Sequence, residues 1–212
     1  MDNSLLHFDD SSHSYTYDGE HFDGVTTILK PLSELAYKNI SLAVMEAARQ
    51  LGMAVHKVIE LDIKGTLDED SLDDVLRPYL FAWRQFKAQS GFIPLLSEQR
   101  VFSIRYRYAG TLDIFGILNG DAALIDAKRV CMVQPVTGPQ LAAYEIALRE
   151  CQPEVVANAV SGPAPGRINR FALQLKPEEK WKLVQFRERT DAQDFLSILN
   201  YRNTIQKWGK AA

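Results

Sequence analysis

YAGTLDIFGILNGDAALIDAKR, residues 108–129, is the stretch of the sequence that decides the fold. Two apolar runs in it are separated by the tripeptide NGD at residues 119–121. Because asparagine and glycine accept the positive φ angles of a tight turn, this pattern predicts a β-hairpin. The predicted hairpin carries Asp113 on its first strand and both Asp126 and Lys128 on its second.

Three charged side chains in apolar strands are costly to bury unless they are paired. Two carboxylates and an ammonium group at the ends of adjacent strands can satisfy one another around a divalent cation, and carboxylate oxygens suit Mg²⁺ or Mn²⁺. Since strand side chains alternate, Asp126 and Lys128 face the same side, which predicts that Lys128 lies beside a water molecule bound to the metal. The backbone carbonyl of Ala127 is a further candidate ligand, provided that the strand end leaves it unpaired.

Length and composition describe an ordinary globular chain. The 212 residues, of which 46% are hydrophobic and 24% charged, predict a single domain over 1–212. No apolar run approaches the roughly 20 residues that span a bilayer, and no signal peptide is evident. We therefore expect a cytoplasmic protein without a membrane partner. The two cysteines, Cys131 and Cys151, fit no metal-binding spacing and are expected to be reduced.

The net charge of −3 does not by itself indicate a nucleic-acid partner. The distribution of charge leaves two alternatives open. Four arginines lie near the hairpin in sequence and could form a local basic rim; they are Arg100, Arg105, Arg107 and Arg129. The other interpretation is that these charges are scattered over the surface and solvated.

Hydrophobic periodicity and turn signals predict the remaining elements. We expect an N-terminal hairpin and short helix over 1–38, a core over 39–175 and a C-terminal helix over 176–212. The predicted elements are a hairpin at 12–23, helices at 28–35, 39–62, 75–89, 139–151 and 176–208, and strands at 94–106, 154–160 and 169–175. This order indicates a mixed α/β (α+β) fold, with a mixed central sheet flanked by helices. Gly52 lies inside a predicted helix, where close approach of another backbone is one explanation.

Four short patterns occur along the chain in a suggestive order. The patterns are Gly52-x-x-x-His56, Gly110-x-x-Asp113, Asp126-x-Lys128 and Gln140-x-x-x-Tyr144. Each pattern is a weak signal alone, but in this order they fall on a predicted helix, two predicted strands and a second predicted helix. With them, the sequence resembles the PD-(D/E)XK nuclease superfamily, and within it the RecB-type nuclease domains and related phage exonucleases. The resemblance covers about residues 52–144, and the segment HSYTYDGEHFDGVTTIL is similar to the opening of many phage members.

The resemblance implies a restriction-endonuclease-like αβββαβ core, one or two divalent ions and hydrolysis of phosphodiester bonds. By position, His56, Asp113 and Asp126 would be metal ligands, and Lys128 would be the catalytic lysine together with the two aspartates. The proline that names the superfamily is absent before Asp113, where Leu112 stands, as is common in RecB-type members. The cysteines of the iron–sulfur nucleases are absent too, so no iron–sulfur cluster is expected.

Four further residues are candidates around this site. Glu60 lies one helical turn after His56 and is predicted to hold the imidazole. Gln140 and Tyr144, also one turn apart, are predicted to contact a phosphate or to orient the lysine. Glu98 either approaches the metal or is a solvated edge residue. An imidazole ligand shifts the preference toward Mn²⁺ without excluding Mg²⁺.

The favoured hypothesis is a metal-dependent deoxyribonuclease, most consistent with an exonuclease of phage recombination or repair. Its partners would be DNA and, in such a pathway, a single-strand annealing or recombination protein, and an oligomer is compatible with it. The alternative is a non-catalytic nucleic-acid-binding or assembly module that keeps the nuclease fold. A non-nuclease hydrolase using the same ion is a third interpretation. Exonuclease and endonuclease action are not distinguished by the residues.

Overall fold

The computed structural model describes residues 3–9, 14–37, 42–129, 132–160 and 166–209. Parts of the sequence-based predictions lie outside these residues, namely positions 12–13 of the first hairpin, 39–41 of the long helix, and Cys131. Within the described ranges, no helix is both long and apolar enough to cross a bilayer.

One eight-stranded mixed sheet forms the centre of the protein. Its strands are β1 (Leu6–Asp9), β2 (Ser14–Tyr17), β3 (Glu20–Gly24), β4 (Ile93–Ser103), β5 (Tyr108–Leu118), β6 (Asp121–Lys128), β7 (Ile168–Leu175) and β8 (Trp181–Phe186). The order across the sheet is β1-β2-β3-β5-β6-β7-β8, and β4 pairs with the other side of β5. The pairs β3–β5 and β6–β7 are parallel, whereas the other pairs are antiparallel.

Helices cover both faces of this sheet. After a 3₁₀ turn at Asn3–Leu5 they are α1 (Val25–Ile28), α2 (Lys30–Tyr37), α3 (Leu42–Lys64), α4 (Arg77–Ser90), α5 (Thr137–Cys151), α6 (Pro153–Ala159) and α7 (Asp191–Gly209). One core cluster packs α1, α5, α6 and α7 against the sheet, and the other packs α3 and α4 against its opposite face. The predicted fold class, with its αβββαβ core, N-terminal hairpin and long C-terminal helix, is confirmed.

The hairpin predicted from residues 108–129 is formed by β5 and β6. Leu118 pairs with Asp121, so Asn119 and Gly120 are the two residues of the turn. Their φ angles are 53° and 85°, and two consecutive positive values define the type I′ turn that suits the twist of a hairpin. The strongest local signal in the sequence therefore fixes the register of the two central strands.

The N-terminal strands join the rest of the sheet through a narrow joint. β3 pairs with β5 only through Asp23 with Tyr108 and Gly24 with Ala109. A side-chain bond from Tyr15 to Thr111, 3.1 Å between the oxygens, supplements this pairing.

Two predicted elements are wrong. Residues 154–160, predicted as a strand, belong to helix α6, because Pro153 supplies a first helical turn that needs no N–H. The C-terminal helix does not begin at residue 176 but at Asp191. Residues 181–186 instead form β8, which pairs along its whole length with β7 after a turn in which Glu179 has a φ of 60°.

Candidate metal centre

Three side chains from different elements meet at one point of the structure. His56 comes from α3, Glu98 from β4 and Asp113 from β5, and each offers a ligand atom within 4.8 Å of the other two. The Nδ1 atom of His56 is 3.1 Å from Oε1 of Glu98 and 3.6 Å from Oδ1 of Asp113. One imidazole nitrogen and two carboxylate oxygens at this spacing fit the ligand set of a divalent ion.

The backbone of β6 sets the orientation of the imidazole. The Nε2 atom of His56 lies 2.9 Å from the carbonyl oxygen of Ala127, to which its N–H donates. Since Nε2 then carries the proton, Nδ1 is the nitrogen with a lone pair for a metal. The Ala127 carbonyl, itself predicted as a metal ligand, thus accepts a hydrogen bond from the imidazole of His56.

Glu60 does not take the predicted role. Its carboxylate accepts hydrogen bonds from Lys57, at 2.8 Å, and from Lys64 on the same helix. Lysines three residues before and four residues after a glutamate lie on its own helical face and compete for its oxygens. Glu98 and the Ala127 carbonyl hold the imidazole of His56 instead.

Glu98 has an unusual backbone for a strand residue. Its φ is 46°, although the residues on either side, Ser97 and Gln99, pair with Ile114 and Leu112 of β5. The other described non-glycine residues with positive φ lie in turns or bends. A left-handed conformation costs a non-glycine residue about 1–2 kcal/mol, and strain of this kind concentrates at functional sites. This distortion lies opposite Asp113, at the position where the carboxylate of Glu98 reaches His56.

Of the two hairpin aspartates, Asp126 is buried and Asp113 is half-buried, and they hold different partners. Oδ2 of Asp113 accepts a hydrogen bond of 2.7 Å from the backbone N–H of Ala127. Oδ1 of Asp126 accepts one of 3.1 Å from Nε2 of Gln140, and its Oδ2 lies 2.9 Å from Nζ of Lys128. Asp126 is therefore adjacent to the three-residue group rather than part of it, and it connects that group to the lysine.

Burial makes this concentration of negative charge unfavourable. It raises the pKa of Asp126 to about 6, against the opposing effect of Lys128, and it raises the pKa of Asp113. Burial lowers the pKa of His56, but the charges of Asp113 and Glu98 outweigh this effect and raise it to about 9. The site thus favours an added positive charge, which the protonated imidazole or a divalent ion can supply.

Tyr144 is buried behind the site, not exposed in front of it. Its side chain is 3% accessible, and burial raises its pKa above the usual value. Its ring occupies the space beside Gly110, where a Cβ atom would lie 2.7 Å from Cε1 of the ring. The predicted phosphate contact of Tyr144 does not fit this placement. Gly110 is explained by packing, since it makes room for the ring. The hydroxyl of Tyr144 is hydrogen-bonded to Gln140, which in turn holds Asp126, so the predicted alternative that it helps to orient the lysine fits this placement.

A cleft of about 840 Å³ opens next to the candidate ligands. Its lining includes five basic side chains: Arg49, Lys57, Arg100, Lys128 and Arg129. Its other wall is apolar and includes Phe8, Val44, Met45 and Met53. The guanidinium of Arg100 lies 5.2 Å from the centre of the Phe8 ring.

The predicted basic rim is present in part. Arg100 and Arg129 line the cleft, whereas Arg105 does not, and Arg107 forms an ion pair of 2.7 Å with Glu20. Sequence reasoning missed Arg49 and Lys57, which lie on the same helix as His56. For Arg49, its position seven residues before the histidine was the available signal, because two helical turns return a side chain to nearly the same face, whereas Lys57, the next residue after His56, gave no such signal.

Comparisons with known proteins give weak structural similarity. No protein-family model matches the sequence, and a search of curated proteins returns no match. The chain is similar to the crystal structure of SSO0001, with a TM-score of 0.41 and 14% identity over 86% of this chain and 75% of that one. It is also similar to an alkaline exonuclease, LHK-Exo from Laribacter hongkongensis, with a TM-score of 0.29 and 14% identity over 89% of this chain and 94% of that one. A complex of LHK-Exo with dAMP matches with the same TM-score and identity.

Proposed function

We propose that the protein is a divalent-metal-dependent deoxyribonuclease that hydrolyses phosphodiester bonds, with exonuclease action as the favoured mode. The observation that supports this most directly is the meeting of His56, Glu98 and Asp113 at the wall of a basic cleft, next to Lys128. Hydrolysis of a phosphodiester needs an activated water and relief of the charge that builds on the phosphoryl oxygens. A divalent ion held by these three side chains would activate the water, and the neighbouring Lys128 would relieve the charge, so the site meets both requirements.

Each residue has a distinct role in this proposal. His56 through Nδ1, Glu98 and Asp113 would hold Mg²⁺ or Mn²⁺, and such an ion supplies Lewis acidity and lowers the pKa of water. The Ala127 carbonyl keeps the imidazole in the required tautomer, because it accepts the proton of Nε2. The Ala127 N–H orients Asp113 by donating to its second oxygen.

Lys128 would stabilise the charge that develops on the phosphoryl group. Asp126 holds its ammonium group at 2.9 Å, and Gln140 fixes the other oxygen of Asp126. Because Asp126 is buried with a pKa raised to about 6, its charge depends on this lysine. Gln140 and Asp126 therefore act as positioning residues for Lys128.

The cleft supports a nucleic acid as the substrate. Arg49, Lys57 and Lys128 are paired with carboxylates, so Arg100 and Arg129 provide most of the charge for phosphates, although the protein as a whole carries a net charge of −3. The apolar wall of the cleft provides a surface for bases or sugars. DNA is the substrate that we propose, and RNA of the same length is the matched competitor in the assay.

The direct test is cleavage of end-labelled linear DNA and of covalently closed circular DNA across a series of Mg²⁺ and Mn²⁺ concentrations. We expect degradation of the linear form, and at least about a 100-fold loss of rate in Lys128→Met and in Asp113→Asn. Lys30→Met, at an exposed lysine outside the cleft, is the control for loss of a surface charge. Full activity in both site variants would refute the proposed mechanism.

Ion binding provides a readout that does not need activity. We expect Mn²⁺ to raise the melting temperature of the wild type, because an ion that binds the native state stabilises it by mass action. Asp113→Asn should abolish this increase, and Lys128→Met should keep it. DNA binding without cleavage under any metal would instead favour the non-catalytic module.

A further inference from the structure

A second basic cleft lies at the opposite end of the sheet from the metal centre. It has a volume of about 460 Å³ and is lined by segments around the start of β7 and the end of β8, together with Glu145 of α5. Arg167 precedes β7, and Arg187 and Arg189 follow β8. All three arginines are exposed, and none of the ion pairs in the described part of the chain involves them.

Two partly buried arginines fix the backbone that carries these exposed ones. Arg149 donates to the carbonyl oxygen of Gly166 at 2.8 Å, directly before Arg167. Arg170 donates to the carbonyl oxygen of Glu188 at 2.9 Å, between Arg187 and Arg189. Both backbone segments of the cleft are therefore held in place by side chains beneath them.

The supporting arginines are neutralised, and the exposed arginines are not. Glu145 lies 2.9 Å from Arg149 and 3.7 Å from Arg170, and Asp191 lies 3.1 Å from Arg170. The free charge of the cleft thus comes from three arginines and the exposed Glu188, a net of two positive charges on a protein of net charge −3. A guanidinium without a carboxylate partner is suited to bind phosphate through two parallel N–H donors.

We propose that Arg167, Arg187 and Arg189 form a second nucleic-acid contact, which binds backbone phosphates of the DNA that is engaged at the metal centre. As a statement about DNA, it rests on the proposed function. The sheet fixes the separation of the two sites. Lys128 pairs with Gln174 of β7, and Arg167 lies seven residues before Gln174. At about 3.3 Å per residue this is roughly 23 Å, the length of about seven base pairs of duplex.

This spacing makes binding dependent on DNA length. A duplex of about 20 base pairs, roughly 68 Å long, can reach both sites. A hairpin with a stem of about five base pairs, roughly 17 Å long, cannot span them. The three arginines should therefore contribute to the affinity for the long duplex and not to the affinity of the short stem for the metal-centre cleft.

The test compares the triple variant Arg167→Gln/Arg187→Gln/Arg189→Gln with the wild type by fluorescence anisotropy in EDTA, with both DNA lengths and several salt concentrations. For the long duplex at low salt we expect affinity to fall by about tenfold or more, and the slope of log K against log salt to fall by about 2.7, from three lost phosphate contacts. The matched control is Lys30→Gln/Arg105→Gln/Lys207→Gln, which removes three exposed cations outside both clefts.

The charge-conserving variant, with lysine at all three positions, should keep most of the affinity, and its melting temperature controls for folding. Unchanged binding of the long duplex by a folded glutamine variant would overturn the proposal, even if the enzyme cleaves DNA normally. The proposal would also be overturned if the glutamine variant lost its binding of inorganic phosphate but kept its affinity for DNA. The cleft would then bind a small anion and not the DNA backbone. Weaker binding of the long duplex in a protein that cleaves nothing would support the second contact and refute the nuclease.

Discussion

Adding one methyl group at Gly110 should destabilise the protein, and the structure gives the size of the effect. A Cβ atom there would lie 2.7 Å from Cε1 of Tyr144 and 3.2 Å from Cγ2 of Val25. Both neighbours are buried, so neither can swing away into solvent. Overpacking of this kind costs about 1–3 kcal/mol, which is a melting temperature lower by about 2–12 °C in a chain of this size.

The same substitution at Gly52 is the matched control. Among the described residues, no atom outside the backbone of the helix itself lies within 4 Å of a Cβ built there, so they do not provide the close approach of another backbone that was one explanation for this glycine. Gly52 lies inside helix α3, where alanine is favoured over glycine by about 0.5–1 kcal/mol. Gly52→Ala should therefore raise the free energy of unfolding while Gly110→Ala lowers it.

Urea unfolding of both alanine variants, and of Gly110→Ala combined with Tyr144→Ala, measures the coupling. We expect Gly110→Ala to lose most of its cost in the background that lacks the ring, because the clash is removed. Tyr144→Ala alone will destabilise by leaving a cavity, which the new methyl group partly fills. An equal cost of Gly110→Ala in both backgrounds, or a stabilising Gly110→Ala, would refute the steric explanation.

Two further predictions concern backbone strain and pH. Glu98→Gly and Glu98→Ala both remove the carboxylate, but only glycine accepts the φ of 46° without strain. The glycine variant should therefore be more stable than the alanine variant by about 1 kcal/mol in urea unfolding. Equal stabilities of the two variants would show that the strain is absent. Burial tends to raise the pKa of Asp23, but hydrogen bonds from Arg202 outweigh it and hold that pKa below 3.8. A lowered carboxylate pKa stabilises the fold above the unfolded value near 3.9 and stops doing so as the pH falls through the folded value. Asp23→Asn should therefore lower the unfolding free energy by about 1.5–3 kcal/mol at neutral pH and by clearly less near about pH 2.5, and a difference independent of pH would contradict this.

Local signals in the sequence were enough to predict the centre of the fold. The turn at Asn119 and Gly120 sets the β5–β6 register, and that register places Asp113 near Asp126 and Lys128. The helical periodicity of apolar residues along α3 likewise predicted that His56 lies on a helix. These elements were predictable because each depends on residues close to it in sequence.

The parts that failed depend on distant partners. Residues 181–186 form a strand because β7 offers them an edge. Residues 154–160 are the exception, because a local signal, Pro153 at the start of the helix, outweighs the strand preference of the two adjacent valines. The left-handed backbone of Glu98 has no sequence signal, since it arises where β4 pairs with β5 opposite Asp113. The burial of Tyr144 behind Gly110 also arises only when α5 packs on the sheet.

The narrow joint between β3 and β5 has a consequence for the wall of the cleft. The elements that carry the candidate ligands, α3, β4 and β5, lie on one side of that joint, and Phe8 of the cleft wall belongs to the three N-terminal strands on the other side. Although only two backbone pairs cross that joint, side chains hold the strands on its other side in place, because Leu6, Tyr15 and Phe22 are buried in the core cluster that also contains residues of β5. Asp23 of β3 is in addition paired with Arg202 of α7. The wall of the cleft that Phe8 forms is thus held by side-chain packing rather than by strand pairing, and amide exchange in β2 and β3 that is comparably slow to that in β5 would be its signature.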